Sequence, residues 1–325
     1  MRKILVTGGL GFIGSNLVDE LILDNEVVII DDFSTGQLKN VGRHLKNPRL
    51  KLIKGSILEV NKVEEVLKDG IDSIVHLAAV VSVVRSSKEP RLVHQVNVEG
   101  TLNILESCLK FPVERLVFAS SAAVYGDSSL PPFREDFPTN PLSLYGATKQ
   151  AGEAYINAYH KSHGLKTVIL RLMNIYGPRR SAGPYSGVMM KFAEAIESGE
   201  PLVVYGDGRQ TRDFTYVTDV TEVMETCLHR GEAVGKTLNI GTGVPTSVNE
   251  LVNLFSLVRS NRSQVVKSAA RPGEISASYA NISKAKETLD YEPRVGLREG
   301  IELFLRWYRD EKRNGSKNQL GNDET

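Results

Sequence analysis

Tyr145 and Lys149 are separated by Gly146-Ala147-Thr148, and residues four apart on a helix share one face. A lysine ammonium buried beside a phenol favours the phenolate, lowering a pKa of about 10 in free tyrosine. The pair therefore predicts that Tyr145 serves as a base near neutral pH. Ser120 and Ser121 follow the apolar run Leu116-Val117-Phe118. Two hydroxyls at the carboxyl end of a strand lie where a wound parallel sheet presents its ligands. Out of that context, each serine reads equally well as a turn or helix cap.

The element able to bring a reactant to such a base is at the start of the chain. Ile4-Leu5-Val6 leads into Thr7-Gly8-Gly9-Leu10-Gly11-Phe12-Ile13-Gly14, and a helical pattern begins at Ser15. Strand, glycine turn and helix in that order form the dinucleotide fingerprint, read as Gly8-x-x-Gly11-x-x-Gly14 or Gly9-x-Gly11-x-x-Gly14. Side chains there would block the backbone from the pyrophosphate, which the helix N-terminus receives. The next strand, Val27-Val28-Ile29-Ile30, ends in Asp31-Asp32. A carboxylate there accepts from both adenosine ribose hydroxyls and repels a 2′-phosphate, so NAD is expected over NADP.

Apolar runs at 3–6, 27–30, 50–53, 73–77, 115–120 and 167–172 alternate with helical stretches near 13–23, 62–68, 91–110 and 145–163. That alternation predicts an α/β fold, a doubly wound parallel Rossmann sheet covered on both faces. After Pro178 and Gly183-Pro184 the elements shorten. Helices are expected near 187–198, 219–229, 247–260, 283–289 and 297–312, with strands at 202–204 and 237–240. Residues 1–175 and 216–242 are assigned to the cofactor domain. A smaller α+β C-terminal lobe for substrate takes 176–215 and 243–312, and 313–325 reads as a disordered polar tail.

With 325 residues, 41% hydrophobic, and a net charge of +1, the chain can build a large core and has no general attraction for nucleic acid or membrane. No apolar run reaches the roughly 20 residues that span a bilayer, and Met1-Arg2-Lys3 leads to a glycine turn, not a signal-peptide core. A cytoplasmic protein is expected. Cys108 and Cys227 form no metal or redox motif, and the six histidines are scattered.

In combination these motifs resemble the extended short-chain dehydrogenase/reductase family, especially its nucleotide-sugar 4-epimerases, from Met1 to about residue 312. The resemblance implies that Tyr145 is the base, that Ser121 shares a proton with the sugar hydroxyl, and that Lys149 holds the nicotinamide ribose. It implies a cofactor site of Gly8, Gly11, Phe12, Ile13, Gly14, Asp31, Asp32, Ser34, Thr35, Gly36, Ser56, Ile57, Leu77, Ala78, Ala79, Asn97 and Ser120, with Tyr145 and Lys149. His76 alone reads as a core histidine, while the motif His76-Leu77-Ala78-Ala79 lines the cofactor in the family. Asn174, in Leu170-Arg171-Leu172-Met173-Asn174-Ile175-Tyr176-Gly177-Pro178-Arg179, is expected at the diphosphate or sugar. Arg212 and Arg271, the latter in Arg271-Pro272-Gly273-Glu274, are expected to grip the nucleotide diphosphate through guanidinium forks.

Three positions depart from the family pattern, of which Leu144 has little chemical meaning. Ser56 stands where an aspartate commonly contacts adenine, and Leu144 replaces a proline. Ser278 occupies the position whose bulk limits the sugar pocket, so a 2-acetamido group is expected to fit. The strand-end hydroxyl is followed by Ala122-Ala123. Related dehydratases carry Asp-Glu there and related decarboxylases a nearby glutamate, so epimerisation of UDP-glucose and UDP-galactose is favoured, with UDP-hexosamines also admitted. The alternatives are another nucleotide-sugar oxidoreductase, such as a dehydratase or reductase, and a non-catalytic NAD-sensing protein. The helices at 91–110 and 145–163 resemble the four-helix dimer interface of the family, and a homodimer is expected.

Overall fold

The computed structural model describes residues 1–127, 130–181, 187–258, 264–270 and 275–320. The first half alternates strand and helix except between β2 and β3, which a 3₁₀ segment (Leu38–His44) joins: β1 (Lys3–Thr7), α1 (Phe12–Leu21), β2 (Glu26–Asp31), β3 (Leu50–Lys54), α2 (Val60–Lys68) and β4 (Ser73–His76). Short helices α3 (Val83–Lys88) and α4 (Pro90–His94) precede α5 (Gly100–Lys110), β5 (Arg115–Ser121), α6 (Leu144–His163) and β6 (Thr167–Leu172). The strands pair in parallel, β3-β2-β1-β4-β5-β6, and Thr237–Ile240 adds a seventh beyond β6. The order reverses between β1 and β4, the switch point at which such sheets bind ligands.

Residues of one strand serve two cores because side chains alternate across the sheet. Ile4, Val6, Val27, Ile29, Val117 and Val168 join one cluster with α1. Leu5, Val28, Ile30, Ile74, Leu116 and Ile169 join another with α2, α5 and α6. Burial on both faces is the physical reason these strands are apolar throughout.

The second lobe carries β7 (Asn174–Tyr176), α7 (Gly187–Ser198), β8 (Leu202–Tyr205), β9 (Thr211–Arg212) and β10 (Phe214–Tyr216). Helix α8 (Val217–His229) then returns beside α1, and β11 (Thr237–Ile240) completes the large sheet. Next come β12 (Thr246–Ser247), α9 (Val248–Val258), β13 (Val265–Ser268), β14 (Ala277–Ser278), α10 (Ser283–Leu289) and α11 (Leu297–Leu320). Met190, Phe192, Phe214, Phe255 and Phe304 belong to a third buried cluster. Strand β9 lies between antiparallel β12 and parallel β14, so Arg212 and Ser278 are register partners.

Three elements differ from expectation. The segment 91–110 is not one regular helix, because Gln95–Glu99 forms a π turn between α4 and α5. Asn97 within it bonds to Val80 and Thr148, and the Thr101 hydroxyl takes the Asn97 carbonyl at 2.7 Å. Those side-chain bonds stabilise the widened turn, a feature that recurs at functional sites. Helix α3 was not expected; the Ser82 Oγ caps it by accepting the Arg85 N–H at 3.0 Å. Finally, α11 continues to Leu320, so 313–320 is helical, not a structureless tail. The Lys39–Glu311 ion pair (2.6 Å) and Lys312 over the Tyr308 ring (5.2 Å) lie in the turn just before this stretch. Residues 321–325 lie outside the described residues. No helix among the described residues is long and apolar enough to cross a membrane.

Candidate active site

The glycine loop is shaped by close backbone approach. Gly8 has φ +70°, and a Cβ there would lie 2.9 Å from the Ala78 backbone, where the loop meets the segment after β4. A Cβ on Gly14 would run into the Gly8 carbonyl and lie 2.8 Å from Gly9 Cα. Only glycine fits the first position without strain and the second without moving backbone. The first turn of α1 has no acidic residue, and its N-cap, Gly11, offers no side-chain cap. Its free N–H groups and the positive end of the helix dipole are therefore available to an anion. These residues fit a dinucleotide pyrophosphate, with Phe12 and Ile13 in the same turn.

Asp31 ends β2 and is 7% exposed. Its Oδ2 accepts the Leu10 N–H at 3.0 Å and its Oδ1 the Phe33 N–H at 2.9 Å. Burial raises its pKa, and these two bonds oppose the rise. Each oxygen keeps lone-pair capacity for a ribose hydroxyl. Gly36 packs on this carboxylate, while Asp32, Ser34 and Thr35 are exposed beside it, with Asp32 accepting the Ser34 N–H at 2.9 Å. Ser56 Oγ accepts the Leu58 N–H at 3.3 Å and retains its own proton to donate. Ile57 is buried against Gly100 of α5.

His76 is a core residue. Its Nδ1 lies 2.7 Å from Thr7 Oγ1 and its Nε2 3.1 Å from Thr101 Oγ1. Thr7 Oγ1 accepts the Leu77 and Ala78 N–H groups at 3.1 Å each, so its proton goes to His76 Nδ1. Burial lowers the His76 pKa to about 3, with Lys149 contributing, so the ring is neutral with its proton on Nε2. Leu77, Ala78 and Ala79 are half-buried along the segment facing Gly8. Asn97, expected at the cofactor, places its side chain on protein groups. Its Oδ1 accepts the Val80 N–H at 2.8 Å, and its Nδ2 donates to Val80 O at 3.2 Å and Thr148 Oγ1 at 3.0 Å. Thr148 in turn donates to the Tyr145 carbonyl at 2.8 Å.

Helix α6 presents the chemistry. Ser143 caps it by accepting the Gly146 N–H at 3.0 Å, which fixes the first turn that holds Tyr145. Gly146 is required there: a Cβ would be 2.5 Å from the Ala123 carbonyl. The Tyr145 hydroxyl lies beside the Ser121 side chain at the end of β5, close enough for that hydroxyl to lower the phenol's pKa. Lys149 is buried, with Nζ 2.8 Å from the Ala119 carbonyl and 4.9 Å from the centre of the Phe118 ring. Tyr145, Lys149 and Ser121 thus converge, and the glycine loop borders the same switch point.

The electrostatics correct the expectation drawn from spacing. Burial pushes the Tyr145 phenol up to about 12, and only the Ser121 hydroxyl pulls it down. Lys149 bonds to a backbone carbonyl, not to the phenol, and burial lowers its own pKa to about 8 against the opposing pull of Glu153. The phenol is therefore neutral in the chain alone. Desolvation is the leading cause at both groups.

Ser120, expected at the cofactor, has its hydroxyl engaged by a protein group. Its Oγ donates to Glu153 Oε1 at 2.5 Å, and it is 3% exposed. Glu153 is also paired with Arg171, whose guanidinium carbon sits 4.8 Å from the centre of the Tyr125 ring. Neither charge was marked as functional from sequence, although Glu153 stands one helical turn beyond Lys149.

In the second lobe, Asn174 lies half-buried on β7 and Arg212 on β9. Arg212 Nη1 donates to the Thr211 and Ile275 carbonyls at 2.8 Å each, which orients the guanidinium. Ser278 is buried next to it. Arg271 lies outside the described residues. Asp213 escaped the sequence reading: fully buried, it accepts the Thr242 N–H at 2.7 Å and the Gly243 N–H at 2.9 Å. It pins the loop after β11 against the strand residue next to Arg212; its position within the Arg212 motif was the available signal.

A family model described as GDP-mannose 4,6 dehydratase matches residues 5–304. The chain belongs to this group of extended short-chain dehydrogenases/reductases. It is 38% identical over 312 residues to a putative UDP-glucose 4-epimerase of Methanocaldococcus jannaschii, covering 95% of this chain and 99% of that one. A UDP-N-acetylglucosamine 4-epimerase from Methanobrevibacter ruminantium, solved with UDP-N-acetylmuramic acid, superposes with a TM-score of 0.91 at 35% identity, covering 95% and 99%. A UDP-glucuronic acid 4-epimerase from Bacillus cereus, solved with UDP-glucuronic acid and NAD, gives 0.89 at 32% identity with the same coverage. The chain is an NAD-dependent enzyme, an isomerase of the 4-epimerase type.

Proposed function

We propose that the protein interconverts UDP-glucose and UDP-galactose at C4 and also accepts their 2-acetamido counterparts. The observation that carries this reading is the Ser121–Tyr145 pair beside buried Lys149, at a strand end followed by Ala122-Ala123. Epimerisation needs one proton removed and returned at the C4 hydroxyl, and a tyrosine in contact with a serine can do both. At this strand end Ala122 and Ala123 cannot provide an acid for elimination, and Glu153 is committed to Ser120 and Arg171.

Tyr145 takes the hydroxyl proton directly or through Ser121 and gives it back on the opposite course. Lys149 positions by hydrogen bonding from a site fixed on the Ala119 carbonyl, and its ammonium favours negative charge on the phenol as water is excluded. When bound, NAD supplies a hydride acceptor at C4 and a positive ring that draws the phenol toward ionisation. Gly8, Gly11 and Gly14 with the α1 N-terminus would hold its pyrophosphate, and Asp31 its adenosine ribose. Arg212, with Asn174 and Arg271, would keep the nucleotide diphosphate anchored while the oxidised sugar turns over. Ser278 supports the N-acetylated reading because it is small, buried and adjacent to Arg212.

The protein is further read as a homodimer through α5 and α6, where Leu109 and Tyr155 are 42% and 39% exposed. Sedimentation showing only a 35.8 kDa species would overturn that reading. Incubation with a panel of UDP-, dTDP- and GDP-sugars, with the C4 epimers resolved, tests the reaction. C4-inverted UDP-hexose, with NAD released on denaturation, is expected. A stable keto sugar or net consumption of the dinucleotide would replace epimerisation with another reaction.

A further inference from the structure

The proton-transfer scheme has no task for Glu153, yet this carboxylate is 5% exposed and bound on both oxygens. Its Oε1 accepts Ser120 Oγ at 2.5 Å and Arg171 Nε at 2.9 Å, and its Oε2 accepts Arg171 Nη2 at 2.7 Å. Ser120 and Arg171 are register partners at the carboxyl ends of β5 and β6. Three successive turns of α6 therefore grip three neighbouring residues of one strand end. Tyr145 meets Ser121, Lys149 meets the Ala119 carbonyl, and Glu153 meets Ser120.

We propose that Glu153 is a positioning residue, which bridges Ser120 and Arg171 so that α6 keeps the register on β5 that joins Tyr145 to Ser121 and Lys149 to Ala119. The inference rests on the catalytic reading of Tyr145 and Lys149. A helix pinned at one point could slide or rotate on the sheet, whereas three contacts at one-turn spacing fix both motions. A shift of about 1 Å in such a group is enough to slow a reaction by about a hundredfold.

The same carboxylate acts on Lys149, whose ammonium it stabilises against burial. The other groups facing this pair are neutral His76 of β4, the Phe118 ring of β5, and Arg171 of β6, itself against Tyr125 and the Glu135 carbonyl. Glu153 is the carboxylate paired with Arg171, so removing it leaves Lys149 without its acidic neighbour and with an uncompensated cation close by. Both changes favour the neutral amine.

Three variants test this. Glu153→Gln is expected to move the alkaline limb of kcat down by about one pH unit or more. Because it strands a buried guanidinium, the double variant Glu153→Gln/Arg171→Met, which removes both charges, keeps the test open if the single variant misfolds. The double variant should show the limb displaced in the same direction but by less, since no cation is left unpaired. The Lys149 Nζ resonance, titrated by ¹⁵N NMR without any sugar nucleotide, should shift in step. Ser120→Ala, with the ion pair intact, should lower kcat about tenfold or more at unchanged KM. An alkaline limb and amine titration at wild-type pH in the double variant would overturn the proposal, as would full kcat in Ser120→Ala. A wild-type protein that turns over no nucleotide sugar would sink the catalytic reading instead, and the amine titration still distinguishes that failure from this one.

Discussion

Replacing Lys149 with methionine should stabilise the folded protein while destroying its activity. Methionine preserves most of the side chain's volume and removes an ammonium that is 4% exposed. Burial carries that ammonium from the usual 10.5 to about 8, so its charged form is disfavoured in the fold by about 3 kcal/mol. The folded pKa lies below the unfolded one, so the unfolded state binds more protons between these values. Wild-type stability must therefore rise with pH through that window, and the penalty is fully present below pH 8. Against this gain, the Ala119 carbonyl loses its donor, at about 1 kcal/mol. Lys149→Met should thus exceed wild type by about 2 kcal/mol at pH 7, with the advantage fading as pH rises above 8 and gone by about pH 10. Urea unfolding of both proteins without dinucleotide, at pH 7, 8.5 and 10, reads this directly, because bound NAD would add its own stabilisation. A variant no more stable than wild type at pH 7, or an advantage independent of pH, would refute the claim that desolvation dominates at this site.

Other outcomes follow from the same geometry. Tyr145→Phe should lower turnover by at least about a thousandfold and retain NAD on a desalting column, since the phenol's task is proton transfer and not cofactor retention. Gly14→Ala should weaken NAD retention by about tenfold or more, because the added carbon meets the Gly8 carbonyl and Gly9 backbone, which cannot swing aside; fluorescence titration of stripped protein measures it. Ser278→Tyr should abolish turnover of UDP-N-acetylhexosamines and spare UDP-glucose, read as the ratio of kcat/KM for the two sugars; equal losses would show that Ser278 does not line the 2-position.

The glycine loop was legible because its function is local. Strand, turn and helix occupy residues 3–21, and the close contacts that require Gly14 are made within the same turn. The spacing of Tyr145 and Lys149 was equally local, and it correctly placed both on one buried face of α6. The sheet followed from the apolar strands, whose composition reflects cover on both faces. The sign of the Tyr145 pKa did not follow: spacing reveals a neighbouring cation but not that it turns to the Ala119 carbonyl, nor how much water the fold removes.

The π turn at Asn97 and the neutral His76 were hidden for the same reason. Their partners, Val80 and Thr148 for one, Thr7 and Thr101 for the other, lie far along the chain. Ser120 shows the division most plainly. The amino-acid order put a hydroxyl at a strand end, which suits a ligand and a structural bond equally well. Only the arrival of Glu153 and Arg171 from α6 and β6 committed it to a protein partner. Periodicity and turn chemistry act between near neighbours and are written in the chain. Burial and charge pairing depend on which distant segments meet, and those only folding brings together.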